Sequence, residues 1–72
     1  MIVILNYSIG DILKPNNTKL PNIRIVGIFK DGTEIIEYFI ENVNGYNVFN
    51  ISNDNPTKSL SVNFINENYK IN

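Results

Sequence analysis

Apolar side chains come in short runs along the chain, many with every second position polar, and the runs are separated by Gly, Pro and Asn. That period-two pattern, carried by Ile, Val, Tyr, Phe and Thr with Ala absent and Leu scarce, is the chemistry of strands. The runs predict strands at IVILNY (residues 2–7), IGDIL (9–13), YNVFNI (46–51), KSLSV (58–62) and YKI (69–71). Gly10 permits a tight bend between the first two. NVNG (42–45) and SNDNPT (52–57) read as turns, and NFINEN (63–68) as a single 3₁₀ turn with Phe64 and Glu67 three apart. KPNNTKLPN (14–22) reads as a long exposed loop stiffened by its two prolines.

The segment NIRIVGIFKDGTEIIEYFIEN (22–42) predicts a hairpin around a two-residue Asp31-Gly32 turn of type I′. Unbroken pairing from that turn places Lys30 opposite Thr33, Ile28 opposite Ile35, Val26 opposite Glu37 and Arg24 opposite Phe39. One face then holds Ile23, Ile25, Gly27 and Phe29 against Ile40, Tyr38, Ile36 and Glu34, which makes it the core. The other face is also rich in apolar groups: Val26, Ile28, Ile35 and Phe39, with Arg24 diagonal to Glu37. Burying four such side chains is worth roughly 6–12 kcal/mol before ordering costs. Three accounts of this second face stay open. The first strand or terminal segment covers it, a second copy of the chain covers it, or it docks a different protein.

The length of 72 residues fits one domain, 1–72, with a core too small for more than modest stability. There is no Cys and no His, so disulfides are excluded, and zinc, haem and iron–sulfur sites have almost no ligands. The same two absences remove the commonest general base and the most reactive nucleophile, so no enzyme and no cofactor are expected. Glu34, Glu37 and Glu41 are the nearest thing to a carboxylate pair and read as solvated or ion-paired side chains. SNDNPT lacks the acidic spacing and closing Glu of a calcium loop, so no metal site is expected.

Net charge is −1, with four cations against Asp11 in residues 1–30 and an acidic excess thereafter. Lys14, Lys19, Arg24 and Lys30 beside Tyr7 give a thin case for nucleic acid, against an acidic balance overall. No apolar run approaches the roughly 20 residues of a membrane-spanning helix. With no signal-peptide core and no Cys, the expected setting is soluble and cytoplasmic.

YSIGDIL (7–13), the polar loop after it, IRIVGIFKDG (23–32) and the terminal FINENYKI (64–71) together resemble small SH3-like β-barrels, including short proteins of phages and low-GC bacteria. The resemblance implies an all-β antiparallel barrel of five to seven short strands with a 3₁₀ turn near its C-terminal end. It also implies a binding role and names no ligand. The expectation is a non-catalytic module that binds, and inhibits or adapts, a larger host protein. The alternatives are a nucleic-acid-binding barrel and a homo-oligomeric structural subunit. Candidate partner-binding residues are Arg24, Val26, Ile28, Ile35, Glu37 and Phe39, with Asn16, Asn17, Thr18 and Lys19 of the long loop, since long loops in small domains are often functional.

Overall fold

Alternating Ile, Val, Tyr and Phe build an antiparallel sheet in the computed structural model, which describes residues 6–45 and 47–71. The strands are β1 (Ile12–Pro15), β2 (Asn22–Asp31), β3 (Glu34–Asn44), β4 (Lys58–Ser61) and β5 (Tyr69–Ile71). A short helix, α1 (Val62–Asn68), joins β4 to β5. The spatial order is β4-β3-β2-β1-β5, and every neighbouring pair is antiparallel. The class is therefore all-β, and among the described residues the sheet is open, with β4 and β5 at its edges.

One face of the sheet carries the core. Leu13, Ile23, Ile25, Tyr38 and Ile40 are buried there, and α1 presses Ile65 onto them. Tyr7 and Tyr69 close the cluster, each tied down by a polar contact. The Tyr7 N–H donates to Tyr38 Oη at 3.1 Å, with the two rings 5.9 Å apart. The Tyr69 hydroxyl donates to the Pro21 carbonyl at 2.9 Å. Burial pushes the Tyr69 phenol up to about 12, because the charged form would lose its water. Burial also raises Tyr7, helped by the neighbouring Tyr38 and Asp11.

The hairpin departs from the sequence expectation in a way that decides which residues face out. Its two-residue loop is Gly32-Thr33, with Asp31 paired to Glu34, and Gly32 alone takes positive φ, at 64°. A type II′ geometry asks for positive φ only at the first central position, where glycine has no Cβ to clash. A type I′ turn would have forced Asp31 there as well. Three register shifts follow, each inserting one extra residue: Ile36 and Val43 in β3 and Val26 in β2. Such bulges reset the inward and outward alternation. Beyond Val26, Ile28 pairs with the buried Tyr38 and joins the core, whereas Phe29 pairs with Glu37 and turns outward. The expected placement of Phe29 in the core, and of Ile28 and Ile35 on the second face, is thereby corrected.

Other expectations shift by local hydrogen bonding. Most of the expected strand at 2–7 lies outside the described residues, and residues 6–8 are not strand. The strand expected at 9–13 starts only at Ile12, because Asp11 folds a turn first. Its carboxylate accepts from the Ser8 N–H at 2.8 Å, its own N–H donates to the Ser8 carbonyl at 3.0 Å, and Gly10 takes φ 97°. Residues 47–51 of the strand expected at 46–51 form an irregular loop, and Tyr46 lies outside the described residues. Asn47 closes that loop by accepting from the Ile51 N–H at 2.8 Å and donating to the Ile51 carbonyl at 2.7 Å. Phe49 meets Phe64 of α1 edge-on at 6.0 Å, so the loop lies over the core instead of lengthening the sheet.

The expected 3₁₀ turn is an α-helix of seven residues. Ser61 caps it by accepting from the Phe64 N–H at 3.2 Å, and the Tyr69 N–H closes its far end on the Ile65 carbonyl. With Ile65 anchored in the core, the full α turn gains burial that a 3₁₀ turn would not supply. The terminal strand at 69–71 and the loop at 52–57 fall where expected. No helix among the described residues is long and apolar enough to cross a membrane.

Candidate docking face

Residues directly opposed on neighbouring strands share a face, so the register maps the side of the sheet away from the core. Beside the hairpin tip stand Asp31 and Glu34, then Glu37 opposite Phe29, with Ser61 of β4 beyond. Next come Phe39 opposite Gly27, flanked by Ser59. Then Glu41 lies opposite Arg24, flanked by Ile12 of β1. Lys14 of β1 opposite Lys70 of β5 completes the far corner.

Phe29 and Phe39 are diagonal neighbours, 51% and 38% exposed. Gly27 makes that arrangement possible. A Cβ built there would lie 3.1 Å from Phe39 Cδ2, so the ring lies flat over bare backbone. Polar contacts border the pair on both sides. Arg24 Nη1 meets Glu41 Oε1 at 2.6 Å, the one ion pair among the described residues, and the Ser59 hydroxyl donates to Glu37. The expected partner of Arg24 was Glu37. The displaced register gives Arg24 to Glu41 and leaves Glu37 to Ser59.

The structure thus separates the six hairpin candidates. Arg24, Glu37 and Phe39 share the outer face. Ile28 and Ile35 pack against the core, and Val26 is a half-buried bulge residue. Phe29, Ile12 and Glu41 belong to the face and were not among the candidates. The sequence reading places Phe29 inside because its exposure depends on a bulge at Val26, and the signal for it is Gly27, an isolated glycine within a strand pattern.

Asn16, Asn17, Thr18 and Lys19 are exposed, as a contact loop would have them, but their backbone is held in place. The Asn16 N–H donates to the Asn68 carbonyl at 2.8 Å, and Asn17 Oδ1 accepts from the Lys19 N–H at 2.8 Å. The first bond ties the loop to the end of α1, and the second closes a turn within the loop. A separate open cavity of about 290 Å³ lies between the hairpin tip and α1, with Ile35 and Val62 among amide side chains of Asn63 and Asn66.

Chemically, the outer face offers two adjacent aromatic rings, a neutralised ion pair and hydroxyls. That is the make-up of a contact surface, with an apolar centre and a polar rim. Comparison with protein-family models, with curated proteins and with solved structures finds no match to this chain.

Proposed function

We propose that the chain is a non-catalytic binding module that docks on a protein surface through the outer face of its sheet. One observation carries this: Phe29 and Phe39 stand side by side, partly exposed, on the strands that also supply half of the buried core. Apolar side chains scattered singly on a surface need no explanation, but adjacent aromatics held on rigid strands and rimmed by polar groups mark contact sites. The strand order and the helix before the last strand support reading the domain as a relative of small SH3-like barrels, which are binding folds. A cytoplasmic setting and a role in blocking or adapting a larger host protein belong to the same proposal.

The test is a photo-reactive phenylalanine at position 39, illuminated in an extract of the protein's own host. The expected result is a discrete protein adduct that disappears when Phe29→Asp is added, with no adduct from the same probe at Asn53. An adduct with nucleic acid, weakening steeply with salt, would favour the nucleic-acid alternative instead. Absence of any discrete adduct from position 39 would refute the docking face.

A further inference from the structure

The outer face is not uniformly charged. Lys14 and Lys70 sit directly opposite each other at one corner, although like charges so placed repel. At the hairpin tip, Asp31 and Glu34 are likewise opposed, with Glu37 next along β3. None of these five has an ion-pair partner among the described residues, where the Arg24–Glu41 bridge is alone. Between the two corners lie Phe29 and Phe39.

A two-fold axis lying in the plane of the face, through the phenylalanines and across the line joining the corners, superimposes each copy's basic corner on the other copy's acidic tip. The same operation stacks the two aromatic pairs on each other. An isologous contact requires just this: one surface complementary to itself. Resting on the docking face described above, we infer that its occupant in the free protein is a second copy of this chain, packed face to face as a symmetric dimer that a larger partner must displace. Two sheets stacked in this way sit about 10 Å apart, within reach of lysine and carboxylate side chains from both sides. The repelling pairs Lys14–Lys70 and Asp31–Glu34 each gain opposite charges in the assembly. A chain with net charge −1 meets little overall repulsion in pairing with itself.

Sedimentation equilibrium of the purified chain, from about 10 µM to about 1 mM, is the test. The expected result is a reversible dimer, weakened at least about tenfold between low and high salt because its rim is ionic. Two charge-reversed variants sharpen it: Lys14→Glu with Lys70→Glu, and Asp31→Lys with Glu34→Lys. All four positions are exposed, and circular dichroism checks that each variant keeps its sheet. Each variant alone should be monomeric, since both contacts then repel. An equimolar mixture should recover the dimer, because every corner again meets its opposite. Phe39→Ser should weaken pairing at least about tenfold. A parent chain that is monomeric throughout, a dimer indifferent to both reversals, or a mixture that stays monomeric overturns the inference. In the monomeric case, an adduct with a different protein from position 39 would leave the docking face standing, and no adduct would remove both.

Discussion

The Tyr69 hydroxyl is the contact through which β5 holds the long loop. Replacing Tyr69 with Phe keeps the ring in the core and removes only the hydrogen bond to the Pro21 carbonyl, 2.9 Å away. That carbonyl belongs to a buried residue, so its loss of a partner costs about 1–3 kcal/mol, more than the net worth of an average hydrogen bond. At the midpoint of about 2 kcal/mol, a domain of this size melts about 8–16 °C lower. The variant should also change the pH profile. In the unfolded chain the phenol ionises near 10.0, whereas in the fold it resists until about 12. The unfolded state therefore releases its proton first as pH rises, and folding stability, complete below pH 10, drains away toward pH 12. The contribution of Tyr69 to that decline is at most about 3 kcal/mol. Thermal melts at neutral pH and urea titrations through the alkaline range measure both effects. A Tyr69→Phe variant that loses less than about 0.5 kcal/mol at neutral pH would refute the account of the Pro21 contact. One that declines as steeply as the parent above pH 10 would refute the assignment of the alkaline loss to this phenol.

Three further expectations follow from the fold. Gly45→Ala should cost at least about 1 kcal/mol in a denaturant melt, since φ is 96° and the new Cβ would lie 2.9 Å from Pro21 Cα. Ile25→Ala should cost about 2–5 kcal/mol, and Phe39→Ser distinctly less at a concentration where the chain is monomeric, because Ile25 is buried and Phe39 is 38% exposed. Equal losses would place Phe39 in the interior. Changing Asn16, Asn17 and Thr18 together to Ala should lower the melting temperature slightly, through loss of the Asn17 side-chain turn. Crosslinking from position 39 should persist, since the loop is bonded to α1 and not to β3.

What the sequence made legible was the chemistry of the strands and the position of the breaks. Period-two patterning located the hairpin, β4 and β5, and the Asn- and Pro-rich stretch at 52–57 located a loop. The faces were only half legible. Ile23, Ile25, Tyr38 and Ile40 face inward as alternation requires, but alternation carries no sign of an extra residue. Val26 and Ile36 are as apolar as their neighbours, so hydrophobicity is silent on the reversals; the mark left by the one that turns Phe29 out and Ile28 in is the isolated Gly27 beside Val26. The loop at 47–51 shows a different limit. Its Val and Phe have strand propensity, yet Asn47 captures both backbone groups of Ile51 and holds the segment out of the ladder. Tertiary burial of Ile65 likewise outweighed the brevity of a segment that reads as a single turn.

The three bulges of the hairpin also govern how its length can change. Removing one residue from a regular stretch of β2 or β3 would transpose every side chain beyond it, sending Tyr38 or Ile25 into water. Removing Val26 would not. Ile25 would still pair with Ile40 and Gly27 with Phe39, now in consecutive register, and both sides of the deletion would keep their facing. The same holds at Ile36 and Val43. Sequences descended from this one can therefore lose a residue at these three positions without exchanging inside for outside, and deletions should collect there.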